Sequence, residues 1–154
     1  MLICTMITLY ELHWSHYCEK IRWALNFKKL DWQKINVNAL TKKELTIFPR
    51  SEKGYLVPQI YDEKTQSYVG ESTSILHYLE QTYPNSPHLF PESDADKKQT
   101  EKLLLEFDSK LAVIARRLGY TQIILEKPTI LATLILSSTC KGVFNLPVIR
   151  NITS

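Results

Sequence analysis

The residues of this chain best suited to chemistry stand close together near its N-terminus. Ser15 and Cys18 are three positions apart, where an apolar run over residues 7–12 gives way to a helical pattern over residues 17–29. Unpaired backbone N–H groups and the positive end of the helix dipole favour an anion, including a thiolate, at such a position. A hydroxyl and a thiol at a helix start are therefore well placed to act on sulfur.

Two further segments have the residue types of a small-molecule site. Pro58 interrupts an apolar run over residues 55–61, and a proline within a strand belongs at an edge or a bend because it cannot donate to a ladder. A cis bond there would be a purposeful feature, since only about 5–6% of X–Pro bonds are cis. Glu71 and Ser72 open the next helical pattern, and a helix N-terminus with serine side chains is a ready anion site.

The elements that must position these residues alternate between strands and helices. Apolar runs predict four strands, over residues 7–12, 31–37, 55–61 and 67–69. Apolar spacing of three and four residues predicts helices over residues 17–29 and 71–83, and the short Lys-rich run over residues 41–48 predicts a short helix or a turn. The order β-α-β-α-β-β-α indicates a single sheet with helices packed against it.

A stiff, proline-rich stretch divides the chain. Residues 84–91 carry three prolines and predict a linker between a first domain, residues 1–83, and a second, residues 92–154. Within the second domain, apolar spacing predicts a long amphipathic helix over residues 94–118 and another helix over residues 120–126. The apolar tail that follows either packs on something or is part of a larger helical domain.

The composition narrows the classes of function. The 154 residues are 44% hydrophobic and 23% charged, and the net charge of +3 comes with no basic run interleaved with aromatics, which argues against nucleic acid. Cys4, Cys18 and Cys140 lack both metal-ligand spacing and an evident disulfide framework, so we predict no metal and a reducing cytoplasm. The N-terminus lacks a signal peptide's basic region, and residues 130–136 are too short an apolar stretch to span a bilayer.

Together the three segments resemble the glutathione S-transferase family. Residues 7–90 are similar to its N-terminal domain, with a proline-bearing strand, a Glu-Ser pair that opens the next helix, and a proline-rich linker into a long helix. The resemblance implies an α/β thioredoxin-like domain (β-α-β-α-β-β-α) followed by a small all-α domain. Family members usually carry a longer helical domain than residues 92–154 provide, which implies that the pocket for the hydrophobic co-substrate is partly absent or differently built.

The resemblance also implies a role for each matched residue. Ser15 would be the catalytic hydroxyl of the serine-type classes and donate a hydrogen bond to the glutathione thiolate. The Val57 backbone, before a cis Pro58, would pair with the cysteinyl moiety. Glu71 would meet the γ-glutamyl ammonium, and Ser72, with its backbone N–H, would hold the γ-glutamyl carboxylate.

Three lysines are candidate partners of the glycyl carboxylate: Lys42, Lys43 and Lys53. Of these we predict Lys53. Cys18 matches the second cysteine of the related glutaredoxins, which implies an inert or modulating thiol. An exposed Cys18 with a lowered pKa would instead indicate glutathione-disulfide exchange.

A tyrosine, either Tyr10 or Tyr17, is an alternative to Ser15 as the group that contacts the thiol. Lowering a thiol pKa by about two units needs roughly 2.7 kcal/mol. One hydrogen bond to a charged group contributes roughly 1.5–3 kcal/mol, so neither a metal nor a general base is required.

The implied function is that of a cytoplasmic glutathione transferase active in detoxification. Glutathione would be the co-substrate, and its thiolate would attack an electrophilic carbon of a hydrophobic small molecule. The family commonly dimerises, which implies a homodimer, with no nucleic acid and no membrane as partners. Two alternatives stay open: a non-catalytic glutathione- or protein-binding module of the same fold, and a glutaredoxin-like thiol transferase acting through Cys18.

Overall fold

The computed structural model describes residues 6–52 and 54–126, together with residues 129 and 132. In this part of the chain four strands form one mixed sheet: β1 (Ile7–Glu11), β2 (Trp32–Asn36), β3 (Gln59–Asp62) and β4 (Ser67–Gly70). The strand order is β2-β1-β3-β4, with β1 parallel to β2 and β3 antiparallel to both β1 and β4. This is the thioredoxin-like sheet that the sequence predicted.

Four α-helices lie in the same part of the chain: α1 (His16–Phe27), α2 (Ser72–Thr82), α3 (Asp94–Glu106) and α4 (Ala112–Glu126). The helix or turn predicted over residues 41–48 is a single 3-10 turn, Lys43–Leu45. Lys42, at the start of this turn, has a left-handed backbone with φ 49°, and Pro49 follows soon after it, which leaves room for one turn only.

The third strand begins later than predicted. Residues 55–58 lie outside any strand, and β3 starts at Gln59, directly after the cis Val57–Pro58 bond. Proline has no N–H to donate to a ladder, so pairing with β1 begins only at the residue that follows it.

The core lies on both faces of the sheet, and β1 is buried along its whole length because it is a central strand. On one face Leu9 and Ile60 pack against Ile21 of α1 and Leu79 of α2, all with zero exposure. On the other face lies a second cluster, composed of Tyr10, Val37, Leu45 and Phe48. Each fully buried aliphatic side chain contributes about 1.5–3 kcal/mol, so these clusters hold the sheet and helices together.

The helical segment after the linker is continuous. A π-helical turn, Phe107–Leu111, joins α3 to α4, and α4 runs through Gly119, so the predicted separate helix over residues 120–126 is wrong. Leu104 packs on the core of the first domain, but most of the apolar face predicted for residues 94–118 is exposed. The exposed members are Leu103, Phe107, Leu111, Ile114 and Leu118. Among the described residues, no helix combines the length and the apolar character needed to cross a membrane.

Candidate functional site

A cavity of about 870 Å³ opens between the sheet and the helical segment. Its walls come from four places: the first turn of α1, the loop before β3, the junction of β4 and α2, and the π turn with the start of α4. The residues that line it are Tyr17, Pro49, Ser51, Glu52, Leu56, Val57, Pro58, Gln59, Tyr68, Gly70, Glu71, Ser72, Asp108, Val113 and Arg116. Four of the predicted site residues, Val57, Pro58, Glu71 and Ser72, therefore lie around one cavity.

The loop before β3 presents backbone polar groups to this cavity. Pro58 is buried and Val57 is half-buried, and the side chain of Gln59 donates to the Leu56 carbonyl at 2.9 Å, which holds the bend. Within residues 6–52 and 54–126, the Val57 N–H and C=O have no hydrogen-bond partner. Because unpaired backbone groups need partners, this strand-like edge is suited to pair with a peptide-like ligand.

The start of α2 forms the second polar wall. Glu71 is its N-cap, with φ 72° in the left-handed region, and its carboxylate accepts from the N–H groups of Thr73 and Ser74 at 3.1 Å each. Ser72 is the first helical residue and is only 2% exposed, and its hydroxyl donates to Glu71 Oε1 at 3.4 Å. A carboxylate and a helix N-terminus therefore stand side by side, able to meet an ammonium and a carboxylate respectively.

Ser15 lies at the start of α1, as predicted, but outside the residues that line the cavity. Its backbone is extended, its N–H donates to the Leu12 carbonyl at 2.9 Å, and its side chain makes no capping hydrogen bond. Tyr17, two residues further on, does line the cavity.

Cys18 is fully buried in the core side of α1. Burial raises its pKa, and hydrogen bonding with the Ser15 side chain and the Leu12 backbone offsets only part of that increase. A buried thiol of raised pKa is a poor nucleophile, so both properties disfavour a thiol transferase acting through Cys18.

The other sulfur and tyrosine candidates differ in position. Tyr10 lies in the second core cluster and does not line the cavity, which disfavours it as the group that contacts the thiol, and burial raises its pKa above 10.0. Cys4 and Cys140 lie outside the described residues.

The lysines expected near the glycyl carboxylate are only partly described. Lys42 Nζ donates to the Tyr55 carbonyl at 2.8 Å, and neither Lys42 nor Lys43 lines the cavity. Lys53 lies outside the described residues.

Two charged residues of the helical segment were missed by sequence reasoning. Asp108, in the π turn, accepts two hydrogen bonds from Lys20 Nζ, at 2.9 and 3.0 Å, and one from the hydroxyl of Thr73. Arg116 reaches the same cavity from α4. A π turn within a longer helix is frequently found at functional sites, but no local pattern in the sequence marks this one.

The fold and the cavity together define a class of protein. A mixed four-stranded sheet, a cis proline directly before an antiparallel strand, and a helix N-terminus beside it make a thioredoxin-like domain with a ligand cavity at the cis proline. The family model described as "Glutathione S-transferase, N-terminal domain" matches residues 9–87, just over half of the chain. The chain therefore belongs to the glutathione S-transferase family.

Solved structures of glutathione transferases share this fold. One from Phanerochaete chrysosporium is 28% identical, with a TM-score of 0.55 over 67% of this chain and 48% of its own. One from Ceriporiopsis subvermispora, in complex with glutathione, is 25% identical, with a TM-score of 0.53 over 66% and 44%. A rice enzyme in complex with glutathione is 24% identical, with a TM-score of 0.62 over 73% and 51%, and shows the fold alone.

The chain thus spans about half the length of the solved structures that it matches. No curated protein sequence matches it.

Proposed function

We propose that the chain binds glutathione in the cavity beside the cis Val57–Pro58 bond and joins it, through its thiol sulfur, to an electrophile. The observation that carries this proposal is the meeting of two recognition elements in one cavity: the Val57 backbone, which is unpaired among the described residues, and the Glu71–Ser72 start of α2. A peptide with a free α-amino acid end needs both elements, since one pairs its backbone and the other binds its charged terminus.

Each part of glutathione has a proposed partner. The Val57 backbone pairs with the cysteinyl moiety, Glu71 accepts from the γ-glutamyl ammonium, and Ser72 with its N–H holds the γ-glutamyl carboxylate. Lys53 is the proposed partner of the glycyl carboxylate. Membership of the family supports these assignments, as do the glutathione complexes of the Ceriporiopsis subvermispora and rice structures.

The proposed reaction is nucleophilic attack by the glutathione thiolate. The thiol proton leaves to solvent, the sulfur forms a bond to an electrophilic carbon, and the leaving group departs with its bonding electron pair. Ser15 is the proposed donor to the thiolate, and Tyr17 is its alternative because its side chain lies on the cavity wall. One hydrogen bond to the thiolate contributes roughly 1.5–3 kcal/mol.

Calorimetric titration with reduced glutathione tests the binding half of the proposal. We expect Ser72→Ala to weaken the affinity of the full chain by about tenfold, the equivalent of one hydrogen bond to a charged group. Ser109→Ala is the matched control, because Ser109 is exposed on the helical segment and its hydroxyl donates only to the Leu105 carbonyl. Equal affinities of the wild type and Ser72→Ala would refute the assignment.

Conjugation of 1-chloro-2,4-dinitrobenzene tests the catalytic half. Loss of turnover in Ser15→Ala, with Tyr17→Phe active, supports the serine mechanism, and the reverse result assigns the role to Tyr17. Glutathione binding without turnover in the wild type would support the second candidate, a non-catalytic binding module. The position of Ser15 outside the cavity lining is the observation that favours this second candidate.

The wider role also follows from family membership. We propose a cytoplasmic detoxification enzyme that takes hydrophobic electrophiles, forms a homodimer, and has a domain boundary at residues 84–91. Light scattering of the purified chain tests the dimer, and a monomer at micromolar concentration would contradict it.

A further inference from the structure

On the helical side of the cavity wall, one charged side chain has no ion-pair partner among the described residues. Among the described residues, four charged side chains line the cavity: Glu52, Glu71, Asp108 and Arg116. Two of the three carboxylates are already engaged, Glu71 with the N–H groups at the start of α2 and Asp108 with Lys20. Glu52 is exposed and belongs to the loop before β3 rather than to the helical segment.

This side chain is Arg116. Within residues 6–52 and 54–126 its guanidinium makes no hydrogen bond and no ion pair. It lies eight residues beyond Asp108, about 12 Å further along a helix. The groups proposed to bind the cysteinyl and γ-glutamyl parts of glutathione come from other elements, the loop before β3 and the start of α2, so Arg116 is left for another ligand.

The surroundings of Arg116 suit an aromatic anion. Val113, one turn earlier on α4, and the ring of Tyr17 supply apolar wall. The imidazole of His16 packs against the Tyr17 ring, tilted by 38° with ring centroids 4.1 Å apart, and its pKa is lowered by burial first and then by the charge of Arg116. A neutral His16 does not compete with Arg116 for an anion, and guanidinium matches a carboxylate with two parallel hydrogen bonds.

We propose that the electrophile taken by this cavity is an aromatic acid whose carboxylate pairs with Arg116. The inference rests on the proposed transferase function and adds the chemical class of the second substrate. Arg116 therefore selects the electrophile and has no part in activating the thiol.

Two electrophiles of similar structure and different charge test the proposal: 4-chloro-3,5-dinitrobenzoate, which is an anion, and its neutral methyl ester. In both, the glutathione sulfur bonds to the ring carbon, chloride leaves with the C–Cl electron pair, and the thiol proton goes to solvent. We expect Arg116→Gln to raise KM for the benzoate at least tenfold, as for one lost charge-assisted hydrogen bond, and to change KM for the ester less than twofold.

Arg117→Gln is the matched control, because Arg117 is the neighbouring exposed arginine of α4 and does not line the cavity. It removes the same charge, and we expect unchanged KM values for both electrophiles. An equal loss for both electrophiles in Arg116→Gln, or a loss of glutathione affinity, would place Arg116 in the glutathione site and overturn the proposal. An equal rise of KM for the benzoate in both arginine variants would mean that only the net charge of the protein matters, and this result would also overturn the proposal.

A binding measurement separates this proposal from the proposed function. If the wild type conjugates neither electrophile, the transferase function fails, but the unreactive pair 3,5-dinitrobenzoate and methyl 3,5-dinitrobenzoate still reports on the cavity. Calorimetry in saturating glutathione is expected to show tighter binding of the acid, lost in Arg116→Gln and kept in Arg117→Gln. Equal affinities for the acid and the ester in the wild type would overturn the proposal.

Discussion

Lys28 Nζ lies 2.9 Å from Glu80 Oε2, which joins the end of α1 to the last turn of α2 inside the protein. The Lys28 side chain has zero exposure and also donates to the Pro87 carbonyl at 3.0 Å, while Glu80 accepts from the Leu89 N–H. One partly buried ion pair therefore holds the proline-rich stretch against both helices. Neither partner stands near the other in the sequence, and removing one would leave a buried charge uncompensated.

This ion pair predicts a loss of stability in acid. Burial by itself would raise the pKa of Glu80, but hydrogen bonds from the Leu89 N–H, Lys28 and His88 outweigh it and lower the pKa from 4.5 to about 2. A carboxylate of lowered pKa stabilises the fold above its unfolded pKa, and this stabilisation is lost as the pH falls from about 4.5 to about 2.

We therefore expect Glu80→Gln to lower the free energy of unfolding at pH 7 by roughly 3 kcal/mol, and to flatten its dependence on pH between 5 and 2. Urea denaturation at a series of pH values measures both effects. Glu101→Gln, on an exposed position of α3, is the control. A Glu80→Gln variant as stable as this control at pH 7 would show that the Lys28–Glu80 ion pair does not stabilise the fold.

The contacts of Asp108 with Lys20 and Thr73 predict a local effect on hydrogen exchange. Asp108→Asn weakens the contacts with Lys20 and Thr73, so we expect faster hydrogen exchange across the π turn, by roughly tenfold or more. Glu106→Gln is the control, since its pair with Lys110 at 3.8 Å is exposed and contributes about 0.3–0.5 kcal/mol. Equal exchange rates in the two variants would show that Asp108 does not hold the helical segment.

The burial of Cys18 predicts a slow thiol. Because burial raises its pKa and removes it from solvent, we expect iodoacetamide at pH 7.5 to leave Cys18 unmodified in the native chain and to alkylate it in urea. Peptide mass spectrometry reads Cys18 separately from Cys4 and Cys140. Rapid native labelling of Cys18 would revive the thiol transferase alternative.

We expect the pKa of His16 to lie below 6.5, the ordinary histidine value, because burial and the charge of Arg116 both lower it. Proton NMR titration of the His16 ring measures it directly. Arg116→Gln removes one lowering charge, so we expect the His16 pKa to rise, whereas Arg117→Gln leaves it unchanged. An unchanged His16 pKa in Arg116→Gln would mean that the two groups do not interact.

Some elements follow from local sequence alone. The apolar run of β1, the periodic faces of α1 and α2, and the helix start at Glu71 and Ser72 appear in the structure within one or two residues of their predicted bounds. These signals are local, since hydrophobic period and capping depend on residues a few positions apart. Pro58 likewise predicted a bend or a strand edge, because a proline has no N–H to donate to a β-ladder.

Other features depend on residues that are far apart along the chain. Asp108 meets Lys20 across 88 positions and Thr73 across 35, and no period in the sequence records such contacts. The sequence predicted a helix end near Leu118, but α4 continues through Gly119. One glycine costs a helix only about 1 kcal/mol, so a glycine alone does not end it.

The local pattern of residues thus determined the bounds of β1, α1 and α2 to within two residues, and it indicated the bend at Pro58. Tertiary structure alone decided that Cys18 faces the core, that Tyr17 rather than Ser15 lines the cavity, and that Arg116 has no ion-pair partner among the described residues. The physical reason is that burial, pKa and charge pairing are set by whatever packs against a residue, and those neighbours come from distant parts of the chain.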